Sequence, residues 1–215
     1  MKQKSMLNFL KKYTFPFFET LCVLEGNIRY PEQHQARYRR TLQSYCGVMP
    51  TLDLLDEISV PKAYRSGRVK LKIMYNEFSE KDWVFSLYPY LPVNSLQCIE
   101  VPDLKYDYKF LDRSELDLLV KQKRDCDDVL ILQKGMVRDS SYANICFWTG
   151  EEWVTPQKPL LEGTMRAHLI KEKQLVEAPV SIDDFSRFKG FKLINAMRDF
   201  NNDPLCPMHQ IKLPL

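Results

Sequence analysis

The chain has 215 residues, 45% of them apolar and 27% charged, and 31 Lys and Arg against 28 Asp and Glu leave a net charge of +3. That length and apolar fraction support a packed core, in one large domain or two small ones, and argue against disorder. So small a net charge, with no dense Lys/Arg tract, argues against nucleic acid as the main partner.

The N-terminal "MKQKSMLNFLKKY" has an apolar part too short and interrupted for a signal peptide or a membrane span. "FFETLCVLEGNIRY" reads as two short strands about Glu25-Gly26, a hairpin with glycine in the turn. In "PEQHQARYRRTLQSYCG", Pro31 suits the first turn of a helix and Gly47 its stop. "GRVKLKIMYNE" alternates Val69, Leu71 and Ile73 with Lys70 and Lys72, the period of a half-buried strand. "WVFSLYPYLP" reads as another strand, ended by prolines. A boundary is expected near residues 95–104, next to the Pro/Asn-bearing run "PYLPVN", and divides the chain into a small domain, 1–98, and a larger one, 99–215.

Beyond it, "ELDLLVKQKRD" predicts a helix and the continuous apolar run "DVLILQK" a buried strand. "GMVRDSSYA" reads as a turn cluster, and "NICFWTGEEWVTP" as two strands about a Gly-Glu turn. "EGTMRAHLIKEK" predicts a helix opening after Gly163, and "SIDDFSRF" a helix start capped by Ser181 and Asp184. "FKLINAM" is the final strand expected. The class is α+β or mixed α/β, with largely antiparallel sheets. The six cysteines form no C-x-x-C pair or zinc spacing, and only His34, His168 and His209 could add imidazole, so no metal site is expected. Scattered cysteines in a chain of this size suit a reduced, cytoplasmic setting.

Four groups carry possible chemistry. Lys109, within "YDYKF", has Tyr106, Tyr108 and Phe110 as neighbours in the chain. Partial desolvation of its ammonium would favour the neutral, nucleophilic amine that forms an imine with an aldehyde. The ordinary reading is a strand-edge lysine with its stem along the tyrosines, and Lys105 competes with it. Asp139 lies in a turn between buried strands, where it faces a cleft or caps its own turn. Gly163 and Thr164 open a helix whose first N–H groups suit a phosphate. Arg37, one helical turn from His34, suits a phosphate or a surface acid. A lysine for an aldehyde, an acid for a ring nitrogen, and a helix end with an arginine for a phosphate make up what pyridoxal phosphate requires.

From about Phe18 to Met197 the chain resembles the fold-type IV pyridoxal-phosphate enzymes, the class IV aminotransferases. That resemblance implies an α+β, two-domain fold of the D-amino acid aminotransferase type, with mixed sheets and a cofactor cleft between domains. "HQAR" resembles an H-x-x-R helix, which puts the phosphate arginine at Arg37. "KFLDR" resembles K-x-L-N-R, which makes Lys109 rather than Lys105 the cofactor lysine. "VRDSSYANICF" resembles V-x-E-x-x-x-x-N-[IL]-F, which assigns the ring-nitrogen acid to Asp139 and a structural asparagine to Asn144. Aspartate for glutamate shortens that carboxylate by one methylene. "GTMR" and "INAMR" resemble the phosphate segments, which implies contacts at Thr164, Met165, Asn195 and Ala196. Thr20, on the hairpin, is a further candidate for assisting proton transfer. Arg113, Met165 and "NAM" lean toward 4-amino-4-deoxychorismate lyase; an amino-acid transaminase and a non-catalytic relic of the fold are the alternatives. By the same resemblance the ligand is a small amino compound and the enzyme a homodimer.

Overall fold

The computed structural model describes residues 14–214. The expectations for the N-terminal stretch before residue 14 lie outside the described residues. Among those described, no helix is long and apolar enough to cross a membrane.

Strand β1 (Phe17–Leu24) buries Phe17, Leu21 and Val23 on one face and turns back through Glu25 and Gly26 into β2 (Asn27–Ile28). Both turn residues have positive φ, 47° and 78°, the type I′ geometry that matches the twist of the flanking strands. Helix α1 (Pro31–Thr41) starts at Pro31 as expected and continues as a π-turn, 42–46, to Gly47, which closes it at φ 72°. Strands β3 (Arg68–Tyr75) and β4 (Lys81–Leu87) complete a four-stranded antiparallel sheet in the order β2-β1-β3-β4. Val69, Leu71 and Ile73 face its core with Tyr38, Leu42 and Leu54, so the period-2 reading holds.

Among the described residues, the first compact unit comprises those up to Pro89 and the segment Tyr108–Asp112. The domain division expected at residue 98 therefore sits differently: the lysine segment, expected in the second domain, packs in the first unit. The cause is local. β2 covers only Val23 and Leu24 of β1, and further back the edge accepts another strand. The Phe18 N–H donates to the Lys109 carbonyl at 3.0 Å, the Leu111 N–H to the Pro16 carbonyl at 2.7 Å, and Phe17 bridges to Phe110.

The second unit takes Tyr90–Asp107 and the chain from Arg113 onward. Its strands are β5 (Leu96–Glu100), β6 (Asp128–Gln133), β7 (Met136–Ser140), β8 (Asn144–Trp148), β9 (Trp153–Pro156), β10 (Val176–Ala178), β11 (Gly190–Ile194), β12 (Cys206–Pro207) and β13 (Ile211–Lys212). Helix α2 (Ser114–Val120) precedes β6, and α3 (Thr164–Lys171) follows β9. The main path runs β10-β9-β8-β7-β6-β5-β13, with β11 paired to β8 and β12.

Four expectations change here. The boundary expected near residues 95–104 falls on β5, because Leu96 and Cys98 join the core. Within "GMVRDSSYA", Met136–Ser140 is strand β7 rather than part of a turn cluster, so Asp139 lies on a strand; the turns are at Gly135 and over residues 141–143. Two strands follow "FKLIN", so β11 is not the last. The sheet is also less antiparallel than expected, since β5 pairs in parallel with β6 and β13, and β10 with β9.

Candidate active site

Lys109 stands on the segment added to β1. Tyr108 and Phe110 turn into the unit's core, Phe110 tilted against Phe17 at 5.5 Å and Tyr108 meeting Tyr45 at 5.1 Å. Alternation sends Lys109 to the other side. There its ammonium lies 4.7 Å from the centre of the Phe18 ring. The neighbouring aromatics thus hold the strand, while Phe18 is the ring under the amine. Lys109 is half-buried and its competitor Lys105 is exposed. Thr20 lies two residues from Phe18 on the same face of β1, half-buried.

Behind that face is a charged network that the sequence reading did not single out. Glu19, pointing inward between Phe17 and Leu21, is fully buried. Its carboxylate accepts Nδ1 of His34 at 2.7 Å and Nε of Arg37 at 2.7 Å, with Arg37 Nη2 as a third donor. Burial alone would raise the Glu19 pKa, but the Arg37 charge and the donors from His34 and Arg37 hold it down at about 2. His34 is pushed down by its own burial, with Arg37 and Lys109 adding to the shift, so a neutral ring is favoured. Arg37 therefore pairs with a buried acid rather than a surface one. The signal for Glu19 was readable: an acid at an inward position of an alternating strand requires partners.

The second unit holds the acid. Asp139, on β7, is buried and sits directly across from Asn144 at the start of β8. Asn144 Nδ2 donates to Asp139 Oδ1 at 2.7 Å and to the Leu161 carbonyl at 2.8 Å, while the Leu161 N–H donates to Asp139 Oδ2 at 2.9 Å. Burial pushes the Asp139 pKa up to about 6 against the pull of these donors and of the Arg166 charge. The Leu160 N–H adds to these donors, and since a carboxylate has about four acceptor positions, capacity is left for a ring N–H. Asn144 reaches both partners because residue 163 has no side chain: a Cβ there would lie 1.9 Å from Asn144 Oδ1. Arg113, one residue past the lysine segment, donates through Nη2 to the Ser141 carbonyl at 2.7 Å and so braces the turn between β7 and β8.

Thr164 and Met165 are buried in the first turn of α3, ahead of its first backbone bond, from the Ala167 N–H to the Gly163 carbonyl at 2.9 Å. That turn presents N–H groups and the positive end of the helix. Asn195 and Ala196, half-buried, form the turn after β11, where Asn195 Oδ1 accepts the Met197 N–H at 2.9 Å. Arg65, Arg68 and Arg138 are the arginines that an amino-acid transaminase could use for a substrate carboxylate, and each makes a contact of its own. Arg65 donates to the Val60 carbonyl and Arg138 to the Lys158 carbonyl, while Arg68 lies 3.7 Å from the Cys22 sulfur.

The family model described as amino-transferase class IV matches residues 16–200. A Haemophilus influenzae protein described only as uncharacterized is 34% identical over 185 residues, which cover 85% of this chain and 98% of that one. A crystal structure from Haemophilus somnus, of a provisionally assigned 4-amino-4-deoxychorismate lyase, aligns with a TM-score of 0.75 and 31% identity, over 85% of this chain and 96% of that one. A hypothetical aminotransferase from Mycobacterium tuberculosis, in its pyridoxal-phosphate-bound form, shares the fold at a TM-score of 0.68 and 16% identity, over 92% and 81% of the two chains. The cofactor of this fold is pyridoxal 5′-phosphate, and the side chains fit it: an amine half-buried on an aromatic ring, and a buried carboxyl whose charge would be stabilised by a cationic ring nitrogen. The match of that family model over residues 16–200 places the chain in the class IV aminotransferase family.

Proposed function

We propose that the protein is a lyase acting on 4-amino-4-deoxychorismate, releasing pyruvate and 4-aminobenzoate. The observation that carries the reading is the likeness to the Haemophilus somnus structure, which spans nearly all of that chain at 31% identity. Arg113, which holds the turn beside Asp139, supports it as a residue of the lyase-like segment.

In this reading Lys109 would hold the cofactor aldehyde, and its free amine would take the proton from the carbon bearing nitrogen. Pyridoxal phosphate supplies the aldehyde and a protonated ring that takes up the electron pair left behind. The Asp139 carboxylate keeps the proton on the ring nitrogen, with Asn144 and the Leu161 N–H fixing its orientation. Arg37, its guanidinium fixed by Glu19, binds the phosphate together with the first-turn amides of α3 at Thr164 and Met165 and the turn at Asn195 and Ala196. The Phe18 ring keeps water from one side of the Lys109 amine, and Thr20 relays protons beside it. A homodimer in the cytoplasm completes the proposal; all six cysteines are free, which suits a reducing compartment.

The test is incubation with aminodeoxychorismate without a keto acid. Release of 4-aminobenzoate and pyruvate is expected, with loss in Lys109→Ala. Turnover that requires an amino acid and 2-oxoglutarate, without 4-aminobenzoate, would instead make it a transaminase. A protein that takes up no added cofactor would be a relic of the fold.

A further inference from the structure

A second lysine shares the Phe18 ring with Lys109. Lys72 lies opposite Thr20 in the β1–β3 register, and its ammonium is 4.6 Å from the centre of the Phe18 ring. The Lys109 ammonium is 4.7 Å from the same centre. The two nitrogens are therefore no more than 9.3 Å apart, the sum of those distances. Each gains from the ring's negative face, while the two like charges repel and raise the local positive potential.

The surrounding face is basic by construction. Val69, Leu71, Ile73 and Tyr75 fill the core, so Arg68, Lys70 and Lys72 alternate onto the face of Phe18, Thr20 and Cys22. The approach of Arg68 to the Cys22 sulfur follows that assignment. On β4 the same face carries Val84 opposite Lys72, Ser86 opposite Lys70, and Asp82 opposite Met74. Asp82 is the one acid on this face of the three strands, one diagonal step from Lys72.

We infer that Lys72 is the specificity-determining residue for the carboxylate of the substrate, selecting amines whose carboxylate stands well away from the reacting nitrogen. An α-amino acid keeps its carboxylate one carbon from the amine. A ring amine with the carboxylate at the opposite ring position separates them further, within the 9.3 Å that bounds the two ammoniums. The para arrangement rests on the lyase reading above; the recognition of a carboxylate by Lys72 does not.

The experiment is calorimetric titration of cofactor-loaded wild type, Lys72→Met, Lys72→Arg and Lys70→Met with 4-aminobenzoate, its uncharged analogue 4-aminobenzamide, and 2-oxoglutarate. Losing one charge-assisted contact should weaken 4-aminobenzoate by about 10- to 100-fold in Lys72→Met. The amide should bind it unchanged, and Lys72→Arg should recover most of the loss. Equal weakening in Lys70→Met and Lys72→Met, abolished by salt, would mean a diffuse field and overturn the assignment; unchanged carboxylate binding in Lys72→Met would overturn it too. If the wild type makes no 4-aminobenzoate, yet 2-oxoglutarate binding still falls at least about tenfold in Lys72→Met alone, the lyase reading fails and Lys72 stands.

Discussion

Two buried carboxylates set the residue-scale energetics, with opposite signs. Glu19 titrates at about 2 in the folded chain against 4.5 for an ordinary glutamate. A folded pKa below the unfolded one stabilises at high pH, so its contribution, on the order of 3 kcal/mol, is complete above 4.5 and is lost as pH falls toward 2. Glu19→Gln should cost about 3–5 kcal/mol at neutral pH because Arg37 would be left buried without its counter-charge. Urea midpoints measured against pH should show the variant converging on wild type in acid; a constant gap would contradict the linkage. Asp139 behaves oppositely, with a folded value of about 6 against 3.8. The cost of ionising it in the fold is absent below 3.8 and complete above 6. Apo Asp139→Asn should therefore gain on apo wild type, by an amount on the order of 3 kcal/mol, as pH rises through that window. Under the proposed function the same variant loses activity, by about 10²-fold or more, because an amide cannot hold the ring proton through ionic pairing.

At the scale of elements, the β7–β8 pair and the start of α3 work as one device. Asn144 opens β8, Asp139 closes on it from β7, and Gly163 caps α3 in extended backbone at φ −72°, a conformation alanine tolerates. The objection to alanine at 163 is therefore steric alone: a methyl there would meet Asn144 Oδ1. Gly163→Ala should cost about 1–3 kcal/mol and release Asp139 from its donor, moving its titration further upward. Carboxyl infrared bands followed through a pH titration would report that shift; an unmoved titration would show that Asn144 keeps its hold by another route. At the hairpin, Gly26 sits at φ 78°, and its Cβ would also come within 3.3 Å of Arg65 Cβ. Gly26→Ala should cost about 1–2 kcal/mol in thermal unfolding, without altering cofactor uptake.

At the scale of the molecule, the chain leaves its first unit at Pro89 and returns to it for Tyr108–Asp112. A fragment ending at Pro89 lacks Tyr108 and Phe110 from its core and the backbone bonds that Phe18 and Pro16 make to the returning segment. It is expected to show no cooperative unfolding, whereas a fragment carried through Asp112 should recover it; equal cooperativity in the two would mean that the returning segment adds nothing to the first unit. The sequence by itself determined the elements whose signals are local: the Glu25-Gly26 turn, the Pro31-to-Gly47 helix, the alternating β3, and the helix entry at Gly163. Period and turn chemistry depend on neighbours a few residues away. It also carried the motif positions of Lys109 and Asp139. Only the tertiary structure decided that Lys109 rides on the edge of β1 and turns away from the tyrosines beside it in the chain. It alone joined Glu19, His34 and Arg37, and brought Lys72 to the ring under Lys109. Those pairings link residues 15 to 91 positions apart, and strand register, which fixes them, is set by packing against a common core rather than by any local signal.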